Sequence, residues 1–155
     1  MTGVLVLRNR QRARRVDTRY LRRIIRALLQ NELPSARFEI GIHLVDEWEI
    51  IHLNEMYLKH AGPTDVISFD YGSDATTGVI AGEIFVCVPV AVSQARRFRE
   101  TWQSELVRYI VHGILHLHGY DDQGAPARRK MKAEEDRVVR LVAGAFSLRR
   151  VGLSA

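Results

Sequence analysis

The chain has 155 residues, with a hydrophobic share of 46% and a charged share of 26%, which excludes a fibrous or extensively disordered architecture and permits one self-sufficient core. Its formal net charge is +5, from 23 Lys and Arg against 18 Asp and Glu. Most of these cations are Arg, whose planar fork matches phosphate, so the balance favours an anionic partner.

In chain order, a short apolar run at 3–8 predicts the first strand. It leads into a basic stretch: residues 8–26 carry nine Arg against the single acid Asp17. Such a run is either a solvated face or a nucleic-acid contact, and by itself does not choose between them. Helical periodicity follows at 17–30 with Asp17 as N-cap, then a strand at 38–45. A second helix at 46–59 has Asp46 as N-cap and Glu49 placed for a capping box. The loop HAGPTD at 60–65 enters a strand at 65–71, which puts Thr64, Asp65 and Ser68 where polar groups can face a cleft, although turn chemistry is the commoner use of such residues. The segment GSDATTG at 72–78 predicts a hairpin connection to a strand at 79–88. Cys87, the only cysteine, sits in the apolar run IFVCV and predicts a buried, inert thiol. Helices at 89–100, 103–117 and 126–143 complete the chain. The mixed order predicts one α+β domain over 1–155, with a four-stranded mixed sheet packed by about five helices. No repeat, low-complexity tract or linker divides it. The N-terminal MTGVLVLRNRQRARR lacks the charge-then-apolar order of a signal peptide, and no apolar run reaches bilayer length, so a cytoplasmic protein without a membrane partner is expected.

The segment HGILHLHGYDD at 112–122 carries the chemistry. His112 and His116 are four apart, so on a helix they lie about 40° apart around the axis, one turn above the other, and can converge on one ion. Gly119 follows three residues later, where it can end the helix in a left-handed conformation. The reversal can return Asp122 to the open side of the two imidazoles, giving three protein ligands and a free fourth position. A His pair alone is a weak signal; His, His, a terminating Gly and a carboxylate in register form a much stronger one. His118 falls about 240° from His112 around the same helix, which predicts a packing or surface role. His43, His52 and His60 have no partner at ligand spacing. Two imidazoles and a carboxylate suit one zinc ion, with manganese or iron as alternatives. An ion held this way would lower the pKa of a bound water to around 7, which points to hydrolysis.

Metalloproteases of the HExxHxxGxx(H/D) type share this spacing, but they place a general-base Glu directly after the first His. Here that position is Gly113. Phosphodiester cleavage leans more on charge neutralisation and positioning, and RNA supplies its own 2′-hydroxyl, so the lack of Glu and the Arg content both favour RNA over peptide.

Through HGILHLHGYDD, LNEMYLKHAGPTDVISFDY at 53–71 and GEIFVCV at 82–88, the sequence resembles the YbeY family of bacterial rRNA-maturation endoribonucleases, over most of residues 38–137. The resemblance implies an α+β domain with one zinc ion. It also implies single-strand-specific cleavage of RNA in 16S rRNA 3′-end maturation and ribosome quality control, with the 16S rRNA precursor and the small ribosomal subunit as partners. Two positions depart from the family pattern. Asp122 stands where its motif ends in a third His, and Asp is a competent ligand. Leu58 stands where many members carry an Arg implied to serve catalysis or RNA contact; Lys59 is next along but lacks the guanidinium fork. The resulting expectation has His112, His116 and Asp122 holding zinc, Lys59 or an N-terminal Arg neutralising charge, and Thr64, Asp65 and Ser68 binding substrate. The competing readings are a non-catalytic ribosome-associated factor with a structural zinc, and a metalloprotease.

Overall fold

The computed structural model describes residues 2–59 and 61–153, the side chain of Thr2 aside; His60 lies outside them. The elements follow the order β1 (Thr2–Asn9), α1 (Thr18–Ala27), β2 (Arg37–Val45), α2 (Glu47–Leu53), β3 (Val66–Asp70), β4 (Val79–Cys87), α3 (Val88–Phe98), α4 (Trp102–Leu117) and α5 (Ala125–Ala145). The four strands form one mixed sheet in the order β1-β2-β4-β3. β1 and β4 both run parallel to β2, and β3 closes the edge antiparallel to β4. The α+β reading of the sequence holds, with each predicted strand within two residues of its observed bounds.

Period-two alternation sorts the strands' apolar residues between two clusters. Leu5, Leu7, Ile40, Ile42, Ile84 and Val86 join the buried faces of α1, α4 and α5 in the main core. Val45, Ile67, Phe85 and Cys87 face the other way and close over Ile50 of α2. Cys87 is fully buried, and burial pushes its thiol up to about 11, so it is inert as expected.

Three local features differ from the sequence reading. The two helices predicted to run to 30 and 59 are α-helical only to Ala27 and Leu53 and continue as wider π-turns over Leu28–Glu32 and Asn54–Leu58. Asp17 caps α1 as predicted, its side chain accepting from Tyr20 N at 3.0 Å, but the capping box at α2 does not form. Asp46 makes no side-chain cap bond and instead faces Arg12 N at 3.4 Å, while Glu49 pairs with the Arg10 guanidinium at 2.5 Å. The Arg10 guanidinium, just past the end of β1, outcompetes the helix's own N–H groups for Glu49, and a backbone N–H of the same segment takes Asp46.

α4 positions the site. Thr101 caps its first turn, accepting from Ser104 N at 3.2 Å, and the helix lies against β3 and β4 with α3 and α5 on its flanks. Its approach to the sheet is unusually close at two glycines. A Cβ on Gly113 would stand 2.6 Å from Ile84 Cγ2, and one on Gly82 would stand 2.3 Å from the Phe69 carbonyl and 2.7 Å from Leu117 Cδ2.

Candidate metal centre and cleft

α4 ends as the spacing predicts. Gly119 has φ +98°, Gly119 N donates to His116 O at 3.0 Å, and Tyr120 N donates to Leu115 O at 3.1 Å. These two bonds are the paired closure of a Schellman motif, which needs a residue free to adopt positive φ. The chain then doubles back. One ligand atom each from His112, His116 and Asp122 lie within 4.8 Å of one another, and the two imidazole rings are 4.8 Å apart at 75°. Two half-buried imidazoles and an exposed carboxylate converge from one side, which is the donor set of an open metal site that could hold one divalent ion.

The imidazoles are prepared for ligation. His112 Nδ1 lies 2.9 Å from Glu135 Oε1 on α5. A carboxylate at neutral pH can only accept, so Nδ1 carries the proton and Nε2 is left as the ligand atom. Glu135 is buried, with 8% of its side chain exposed. Burial alone would raise its pKa, but hydrogen bonds from His112 and Arg108 hold it below the usual carboxylate range. Arg108 donates at 2.6 Å to both Glu135 and Asp136, and Lys132 adds a contact to Asp136 at 3.2 Å. Burial, together with the neighbouring His112, lowers the pKa of His116, which favours the neutral form a ligand must take.

The three residues open onto a cleft of about 670 Å³ whose facing wall comes from the 58–70 segment, with Leu58, Thr64, Asp65, Ser68 and Asp70 all lining it. Thus Thr64, Asp65 and Ser68, chosen from sequence as substrate contacts, share one cavity with the three candidate ligands. Ser68 Oγ reaches the Gly113 carbonyl at 3.5 Å, tying that wall to α4. Asp65 is partly occupied with local structure, accepting from Val66 N at 2.8 Å. The loop is held by Asn54, buried at 5% exposure, whose amide donates to Gly62 O at 3.0 Å.

Lys59 is placed differently from the sequence expectation. It ends the second π-turn in a left-handed conformation, φ +56°, is exposed, and is absent from the described residues lining the cleft, where Leu58 stands instead. Arg128, in the first turn of α5, approaches the Asp122 carbonyl at 3.5 Å and brings a cation to the cleft rim. Among the other histidines, His52 is exposed. His118 is half-buried and burial lowers its pKa. His43 is buried, stacks on Phe85 at 4.5 Å and accepts from Arg10 at 2.8 Å.

Sequence reasoning missed Glu135, Arg108, Asn54 and Arg128. Glu135 had a legible signal: it interrupts the stripe Met131, Val138, Val142 that α5 buries, and an acid on an apolar face calls for a partner.

The family model described as Endoribonuclease YbeY matches residues 6–143. The chain is 38% identical over 123 residues to the endoribonuclease YbeY of Chlorobium luteolum, covering 79% of this chain and 87% of that one. To the endoribonuclease YbeY of Salinibacter ruber it is 33% identical over 136 residues, covering 84% and 86%. The solution structure of TM1509 from Thermotoga maritima superposes with a TM-score of 0.65 at 27% identity, over 92% of this chain and 91% of that one. With the family model running from the middle of β1 to near the end of α5, the chain belongs to the endoribonuclease YbeY family.

Proposed function

We propose that this chain is a zinc-dependent, single-strand-specific endoribonuclease that acts in the cytoplasm on the 16S rRNA precursor, in 3′-end maturation and in quality control of the small ribosomal subunit. The observation that carries the reading is the convergence of His112, His116 and Asp122 within 4.8 Å on a cleft walled by polar groups, in a member of an endoribonuclease family. Zinc fits the two-imidazole, one-carboxylate donor set, and when bound it supplies Lewis acidity toward a phosphoryl oxygen and acidifies water. The chain's own residues supply the rest. Glu135 fixes the His112 tautomer and ring angle through Nδ1. Thr64 and Ser68 offer hydroxyls, and Asp65 a carboxylate, across the cleft from the ligands, where they can orient ribose hydroxyls. Charge neutralisation on the phosphate falls to Arg128, beside Asp122, rather than to a cation at position 58.

The test is cleavage of single- and double-stranded RNA by protein of measured metal content, with His116→Ala alongside. Loss of single-strand cleavage on chelation and in the variant, with restoration by zinc in the wild type, supports the reading. Absence of cleavage by zinc-loaded protein that still co-sediments with ribosomes would replace it with a non-catalytic ribosome-binding role.

A further inference from the structure

The arginine run of the N-terminal segment has a second half that only folding reveals. Val16 forms an antiparallel bridge with Gly152, Asp17 N donates to Val151 O at 2.8 Å, and Leu153 N donates to Arg15 O at 2.9 Å. These bonds lay the SLRRV segment at 147–151 beside the start of α1. Arg150 sits 4.5 Å and Arg23 5.8 Å from the centre of the same Tyr20 ring, whose hydroxyl is anchored on Ser147 O at 2.9 Å. Arg15, Arg19, Arg23, Arg149 and Arg150 are all exposed. Among the described residues none has a carboxylate within ion-pair distance. Asp17, the acid of this stretch of sequence, is committed to capping α1. Arg19 and Arg23 are one helical turn apart, where like charges repel. The fold therefore brings five exposed arginines from the two ends of the chain together, two of them over the Tyr20 ring, an arrangement that a polyanion relieves.

We infer that this surface is a phosphate-backbone anchor for single-stranded RNA, separate from the cleft; the inference rests on RNA being the substrate. The position supports separation. Gln103, in the first turn of α4, approaches Arg149 O at 3.4 Å, so the patch sits at the opposite end of α4 from His116. Trp102 to His112 is ten residues, about 15 Å of helix rise. At roughly 3.4 Å per stacked nucleotide, a strand engaging both places needs at least about four nucleotides between them. Arginine forks recognise phosphate without reading sequence, so the anchor adds affinity for long strands rather than choice of bond.

The experiment compares wild type with Arg19→Gln/Arg23→Gln/Arg150→Gln, checked for an unchanged circular dichroism spectrum and melting temperature. Binding of fluorescein-labelled single-stranded RNA of about 30 and about 6 nucleotides is followed by anisotropy across a potassium chloride series, with cleavage of both RNAs in parallel. The variant is expected to bind the long RNA on the order of tenfold more weakly, with the slope of log K against log salt reduced by about 2, near 0.7 per lost phosphate contact. Cleavage of the short RNA is expected to be unchanged. Equal binding of the long RNA by both proteins overturns the anchor and leaves the nuclease reading intact. An equal loss on long and short RNA also overturns it, since the arginines would then belong to the cleft. Patch-dependent binding without cleavage of either RNA by the wild type supports the anchor while sinking the nuclease reading.

Discussion

Replacing Glu135 with Gln tests whether the buried carboxylate behind His112 tunes the metal centre or merely fills space. Gln is nearly isosteric but has one acceptor oxygen where Glu has two. Glu135 now accepts from His112 Nδ1 through Oε1 at 2.9 Å and from Arg108 through Oε2 at 2.6 Å. The amide can keep one of these bonds, and its NH₂ must then face the other donor. Arg108 retains Asp136 at 2.6 Å, so the guanidinium is not orphaned and the cost to stability should stay near about 1 kcal/mol, one hydrogen bond's net worth. His112 loses a negatively charged partner, and with it ligand basicity and orientation. Loss of such a partner typically weakens metal binding about 10- to 100-fold, or about 1.4–2.8 kcal/mol. Titration of zinc against a chromophoric chelator at neutral pH measures this directly. Wild-type zinc affinity in a folded Glu135→Gln protein would refute the reasoning and reduce Glu135 to packing.

Asp122→Ala should lower zinc affinity far more than Asp122→His, which restores a third ligand, and metal analysis after dialysis would rank the two. Gly119→Ala forces an L side chain to φ +98° and should cost roughly 1–2 kcal/mol, seen as a lower urea midpoint; an unchanged midpoint would show that the Schellman closure is dispensable. His43 makes acid stability testable. Burial lowers its pKa below 6.5, its partners Glu83 and Glu49 working against that shift and Arg10 with it. Its neutral form therefore stabilises the fold fully above about pH 6.5, and this contribution is lost as pH falls through the lower folded value. His43→Gln should be the weaker protein at pH 7.5 by denaturant titration, with the gap to wild type narrowing by pH 5; a constant gap would contradict the assignment.

The sheet and five helices were legible because β1 carries the unbroken run VLVL, β2 alternates Phe38, Ile40, Ile42 and Leu44 with other residues, β4 ends in the apolar run IFVC, and α4 and α5 hold their period over many turns. The candidate ligand triad was legible because all of it falls within eleven residues of chain. What could not be read depended on contacts distant in sequence. Glu49 is 39 residues from Arg10, and nothing local announces that it forsakes its helix for that arginine. Glu135 is 23 residues from His112 and belongs to another helix. The π-turn before Lys59 shifts the residues after it by a fraction of a turn, which is why Leu58 rather than Lys59 lines the cleft, and period-3.6 reasoning has no means to register such a shift.

The contact between Gly113 and Ile84 also bears on what this scaffold can become. Converting HGILH to the HEILH of a zinc peptidase is a small change in codon space, yet the new Cβ alone would stand 2.6 Å from a methyl group of the central sheet. Ile84 is fully buried beneath it, so accepting the glutamate means first hollowing out the strand below, a step that typically costs about 2–5 kcal/mol for Ile to Ala with no activity gained in return. Intermediates on that route would be selected against before any new general base arrived. The two reaction classes share a ligand spacing but stand on opposite sides of a packing barrier.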